Sequence, residues 1–397
     1  MSLSNVVVVG ASAAGLTAAE TLRREGYAGR LTLVDAEPHP PYDRPPLSKQ
    51  WLRGDWDRER LALRPADALA GLDAEWRLGL RAERLDLSDR RVHLADGSAL
   101  EFDGLVVATG VRPRRLPFGA DLDGVHVLRT VEDADALRAA LLPGRRVVVV
   151  GAGFLGTEAA AVARELGCEV CVVDPLPAPM VRQLGACVGA RVARLHREHG
   201  VEVRCETGVS ALRGHDGRVA AVVLDDGEEL VADVVLVAIG AEPVVDWLRD
   251  SGLTVGDGVV CDEFCQAASG VVAAGDVASW PHPVLGRVRL EHRMNATEQG
   301  MAAARTLLGQ RVPFAPVPYF WSDQFDVRIQ VYGRPAGTDF TVVDGDPDEG
   351  PFAAVQHDDA GRLTAVAAWN MPRQARTLRQ QLVQQYRIHH ALVRTTS

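Results

Sequence analysis

The 397-residue chain holds six cysteines, and none of them precedes Cys168. So few thiols argue against a disulfide framework and fit a reducing, cytosolic setting. No apolar run approaches the roughly 20 residues of a membrane-spanning helix. The first strand-like run, Val6 to Val9, starts too close to Met1 to leave room for a signal peptide, so the cytoplasm is the expected compartment. Basic charge is short as well. Lys and Arg number 43 against 53 Asp and Glu, a net charge of −10, without the basic footprint of a general nucleic-acid binder. Cys168-Glu-Val-Cys171 is formally a CxxC, but it opens the apolar run Val170 to Val173, whose positions pack into a sheet. No second ligand pair follows at zinc spacing. Neither a redox dithiol nor a metal site is expected.

What the chain does contain is an echo of itself. SNVVVVGASAAGLTAAETLRREGYAGRLTLVDAE near the start and GRRVVVVGAGFLGTEAAAVARELGCEVCVVD near the middle each read as strand, Gly-rich turn, helix and strand. Four consecutive valines suit a parallel strand buried on both faces, and two βαβ units suggest two doubly wound domains. FDGLVVATG, closing at Gly110, and ADVVLVAIG, closing at Gly240, bracket the second unit. The simplest topology inserts one domain in the other. Residues 1–115 and 240–315 would form the first domain and 116–239 the second, both α/β and Rossmann-like. After Pro316 the texture turns to aromatics and alternating strands, then a helical Arg-rich tail. This predicts a third, α+β domain over 316–397.

The middle turn, Gly151, Gly153 and Gly156, follows a strand and opens a helix, and Asp174 ends the next strand 18 residues after the last glycine. That combination supplies a tight turn, close approach to a pyrophosphate, helix packing and a carboxylate for ribose hydroxyls. The first turn is Gly10, Ser12 and Gly15. Serine is still small enough for a pyrophosphate to approach, and Asp35 and Glu37 both lie at a suitable distance for the ribose. Two such sites in one chain suggest a flavin and a nicotinamide held face to face.

Several further motifs fall in a fixed order: PYDRPPLSK (Pro41 to Lys49), VVATGVRPRRLP, GAGFLGTE, VLVAIGAEP, VVAAGDVA and PYFWSDQFDVRIQVYG. Together they resemble, over nearly the whole chain, the oxygenase-coupled NADH:ferredoxin reductases of the putidaredoxin reductase and biphenyl dioxygenase reductase type. The resemblance implies FAD and NADH as cofactors. It implies that Asp276, after Gly275, bonds the FAD ribityl chain, and that Arg44, Pro45 and Lys49 line the pyrophosphate and isoalloxazine. Ala14, Thr109, Gly110 and Gly240 fall in motifs that would hold a cofactor, and Arg129, between two of them, is a further cofactor-binding candidate. Phe154 and Leu155 belong to the NAD-binding turn. Glu158 would reach across a domain interface to Lys49, since a buried lysine beside a flavin needs a carboxylate partner; the plain alternative is two exposed charges on unrelated loops. Trp321 would sit by the flavin or serve as an ordinary core residue. Two departures stand out: Arg293 replaces a tryptophan found in many relatives, and Ala36 replaces an acid.

The implied reaction is hydride transfer from NADH to FAD, then single-electron release to a small acidic iron–sulfur ferredoxin serving a cytochrome P450 or ring-hydroxylating oxygenase. A thiol-based reductase would need a cysteine near the first unit, where the chain reads PPLSK with Ser48. A second class is a redox-signalling flavoprotein of the apoptosis-inducing factor type. Residues 360–397 hold no acid and six arginines, Arg362, Arg373, Arg376, Arg379, Arg387 and Arg394, a candidate docking surface for the ferredoxin. The expected protein acts without nucleic acid or membrane, as a monomer or weak homodimer.

Overall fold

The computed structural model describes residues 3–335 and 339–396, with side chains described up to 386. The valine runs become central parallel strands. Asn5–Val9 lies between Arg30–Asp35 and Gly104–Val107 in a six-stranded sheet, with Glu75–Leu78 at one edge and Gln266–Ala268 at the other. Val6, Val7 and Val8 are fully buried, because helices and loops cover both faces of the sheet. Helix Ala13–Arg24 packs on one face against helix Arg293–Leu307.

The second unit repeats the plan. Arg146–Val150 pairs in parallel with Glu169–Val173 and Val234–Val237, and the five-stranded sheet ends on Glu202–Arg204 and Val125–His126. The chain crosses between the units twice, and the crossings pair antiparallel as Val111–Pro113 and Ala241–Pro243. Thr109 and Gly110 clamp this neck. The Thr109 hydroxyl donates to the Val244 carbonyl at 2.8 Å, and the Val244 amide donates to the Gly110 carbonyl at 3.0 Å. Gly240 lies at the other crossing, its carbonyl accepting from the Arg114 amide.

The expected third unit is a five-stranded antiparallel sheet, ordered Tyr319–Gln324, Val327–Gly333, Leu363–Trp369, Phe352–His357 and Thr341–Gly345. Helix Pro372–Thr396 packs on it. The α/β class with two doubly wound units and a C-terminal α+β unit is therefore borne out. Among the described residues, no helix is long and apolar enough to cross a membrane, and no group of three or more His, Cys, Asp or Glu could hold a metal ion. All six cysteines are free, with Cys168 and Cys171 buried in and beside strand Glu169–Val173.

Candidate active site

The two glycine turns are built alike. Gly10 (φ 97°) and Gly151 (φ 107°) adopt backbone angles that disfavour a side chain, and a Cβ at either would lie 2.1 Å and 2.4 Å from the carbonyls of Ala108 and Ala238 respectively. A Cβ at Gly15 or Gly156 would lie 1.8 Å or 2.0 Å from the turn's own carbonyl oxygen, so each helix can leave the turn this tightly only with glycine there. The acids match too. Asp35 accepts from the amides of Ala11 (2.6 Å) and Glu37 (2.9 Å), while Asp174 accepts from Ala152 (2.6 Å) and Leu176 (2.8 Å). Each carboxylate staples its glycine turn to the strand end and retains lone pairs for a ribose hydroxyl. Burial raises the Asp35 carboxyl above the usual range. Glu37 points elsewhere, to Arg44 at 2.5 Å and to the Tyr42 hydroxyl.

A single cleft opens between the two turns, and most of the expected residues meet in it. Ser12, Ala14, Arg44, Pro45, Lys49 and Gly110 come from the first unit, as do Gly275 and Asp276. Arg129, Phe154, Leu155 and Glu158 line it from the loop and helix of the second, and Trp321 comes from the third. Gly10, Gly15, Gly151 and Gly156 shape the turns rather than the wall. Asp35, Glu37, Asp174, Thr109 and Gly240 also stand outside the lining. At Gly153, which caps helix Phe154–Glu165, a Cβ would meet nothing within 4 Å. This is open space at a helix N-terminus, where a pyrophosphate is favoured.

Lys49 follows the short turn Pro45–Ser48, whose two leading prolines fix its direction. Its Nζ meets Glu158 Oε2 at 2.5 Å, and both residues are 5% exposed. The Ser48 hydroxyl donates to the same oxygen at 2.6 Å and the Ser322 hydroxyl donates to Oε1 at 2.8 Å. The ion pair therefore spans two units and is secured from the third. Arg129 lies 3.4 Å from Asp276, and burial with the nearby charge of Arg44 lowers its basicity. Two half-buried guanidinium groups beside a glycine turn, Arg44 already paired with Glu37, suit a diphosphate that would offset their remaining repulsion.

Arg293 does line the cleft, but its charge is paired. Its Nε meets Asp43 Oδ1 at 2.5 Å and its Nη1 donates to the Thr297 hydroxyl at 2.5 Å. Ser48 entered the sequence reading only as the place of an absent thiol, and Ser322, Asp43 and His292 escaped it. His292 lines the cleft with burial pushing it down to about 4, and its Nδ1 has no partner. Nothing in the sequence singles it out. A signal for Lys49 did exist. It is the only lysine in the chain, against 42 arginines. Where arginine serves everywhere else, a lone compact ammonium marks a site that a planar guanidinium does not fit.

Residues 4–300 match the pyridine nucleotide-disulphide oxidoreductase family, and residues 319–397 match the reductase C-terminal domain. Rhodocoxin reductase of Rhodococcus erythropolis is 41% identical over 93% of this chain and 87% of its own. The anthranilate 1,2-dioxygenase system ferredoxin–NAD(+) reductase component of Burkholderia cepacia is 41% identical over 94% and 92%. Among solved structures, putidaredoxin reductase in its covalent complex with putidaredoxin superposes with a TM-score of 0.91 at 34% identity, covering 95% of this chain and 92% of that one. The chain belongs to the pyridine nucleotide-disulphide oxidoreductase family and, within it, to the FAD-dependent ferredoxin–NAD(P)+ reductases.

Proposed function

We propose that this oxidoreductase draws electrons from NADH through FAD and delivers them singly to a small, acidic iron–sulfur ferredoxin of an oxygenase or cytochrome P450 system. The observation that carries the reading is one cleft between two glycine turns, closed by a buried lysine–glutamate pair and faced by a tryptophan of the third unit. Residues 1–115 and 240–315 would hold FAD, 116–239 the nicotinamide nucleotide, and 316–397 part of the ferredoxin surface. When bound, the isoalloxazine supplies the chemistry by accepting a hydride and giving up electrons one at a time. The protein supplies position and charge. Asp276 and Arg129 would orient the ribityl and diphosphate, Lys49 would hold the ring edge, and Glu158 gives that buried ammonium its partner. By holding the two cofactors side by side, these residues would supply most of the rate through proximity.

The redox-signalling alternative is not favoured, since the relatives above are reductases of electron-supply systems. Asp174 would prefer NADH to NADPH by accepting from ribose hydroxyls and repelling a 2′-phosphate. The test is ferredoxin-dependent reduction of cytochrome c by NADH, run against a panel of ferredoxins. Turnover that requires a ferredoxin supports the reading, and turnover indifferent to every ferredoxin overturns it.

A further inference from the structure

The buried pair at the flavin cleft does not end at Glu158. Strand Tyr319–Gln324 alternates, so Trp321 faces the cleft while Ser322 and Gln324 point inward, 0% and 1% exposed. The Gln324 Nε2 donates to Ser322 Oγ at 3.0 Å, which leaves the Ser322 proton for Glu158 Oε1 at 2.8 Å. On the far side, Gln324 Oε1 lies 2.8 Å from Nε2 of His196, which is 1% exposed on helix Val181–Glu198. Since the glutamine oxygen can only accept, His196 carries its proton on Nε2. Its Nδ1 has no partner. The bonds linking these four residues therefore run one way, from His196 through Gln324 and Ser322 to the carboxylate, while the amide nitrogen of Gln324 also donates to Met180 Sδ at 3.4 Å. Aligned hydrogen bonds of this kind polarise one another and strengthen the terminal bond to an anion.

We infer that Ser322, backed by Gln324 and His196, is a positioning residue for the flavin-side lysine: it holds the Glu158 carboxylate oriented toward Lys49, so the C-terminal unit helps set the redox site besides serving any docking role. Burying three polar side chains costs free energy that an apolar trio of the same shape would not. A one-directional network ending on the single carboxylate that meets the single lysine gives that cost a purpose. The inference rests on the reading of Lys49 and Glu158 as a pair acting on the flavin.

The experiment compares Ser322→Thr, Ser322→Val and Ser322→Ala with Glu158→Gln in the holoenzyme. Two quantities are followed: stopped-flow reduction of the flavin by NADH, and the rate of FAD release read by flavin fluorescence. Thr and Val have the same shape and differ by the hydroxyl, and Ala covers the case in which added bulk prevents folding. The loss of one hydrogen bond to a carboxylate corresponds to roughly tenfold. Ser322→Val and Ser322→Ala should slow reduction and hasten FAD release by about that factor, with Ser322→Thr within about twofold of the parent. If all three Ser322 variants match the parent while Glu158→Gln is impaired, the network is passive and the inference falls, with the pair intact. If Thr and Val are equally impaired and Ala is not, the site reads bulk and the inference falls. If Glu158→Gln also matches the parent, both the inference and the reading beneath it fall.

Discussion

A lysine ammonium with 5% of its surface exposed is costly to bury without a partner anion, and Lys49 meets Glu158. Removing one partner of a buried pair typically costs about 3–5 kcal/mol, because the other charge stays behind uncompensated. Glu158→Ala should therefore lower both the unfolding midpoint and the flavin content of the purified protein. A surface change such as Arg362→Gln should leave both in place. An unchanged midpoint and full flavin content in Glu158→Ala would remove the pair from the account. The pair came into view through family resemblance, not through periodicity, since no local pattern links positions 49 and 158. The choice between Asp35 and Glu37 was illegible for a related reason. The two acids sit two residues apart after one strand, and only three-dimensional neighbours separate them: backbone amides for the first, Arg44 and Tyr42 for the second.

At the scale of elements, the valine runs and glycine turns were legible because parallel buried strands and tight turns impose composition locally. The glycines also make separable predictions. Gly156 is closed in by its own turn, whereas Gly153 faces open space. Gly153→Val should keep the melting temperature and FAD content near the parent values while raising the KM for NADH at least about tenfold, as a β-branched side chain enters the path of the pyrophosphate. An unchanged KM would move the nucleotide away from this turn. Asp174 gives a companion test through kcat/KM for NADH and NADPH. NADH should be favoured, and Asp174→Ala should narrow the ratio; equal values in the parent would contradict the role given to this carboxylate. Strand Tyr319–Gln324 was legible as a strand, yet Ser322 was not legible as part of the site, because alternation says which residues face inward and not what they meet.

For the whole molecule, three units converge on one cleft, so global stability and electron delivery are linked to inter-unit contacts. Burial pushes His196 down to about 4 from its ordinary value near 6.5. A base depressed by folding stabilises the native state above the unfolded value. That stability is lost as pH falls from about 6.5 to about 4, on the order of 3 kcal/mol from this group. Urea midpoints at about pH 7 and pH 5 should differ less in His196→Gln than in the parent, and an equal acid loss in both would show that His196 does not titrate as described. On the outer surface, Arg373, Arg376 and Arg379 are exposed on helix Pro372–Thr396, while the side chains of Arg387 and Arg394 lie outside the described residues. Reversing Arg376 and Arg379 to Glu should raise the KM for ferredoxin and leave that for NADH near its parent value, since such a patch steers association. Equal effects on both would place the docking surface elsewhere. What unites the three units is electron delivery itself. Its most direct measurement is an anaerobic stopped-flow experiment in which NADH is mixed with the FAD-loaded protein and an oxidised acidic ferredoxin. Rapid flavin bleaching followed by ferredoxin reduction is expected, in the ratio that one hydride to two single electrons demands. Flavin that bleaches and then stays reduced beside oxidised ferredoxin would contradict it.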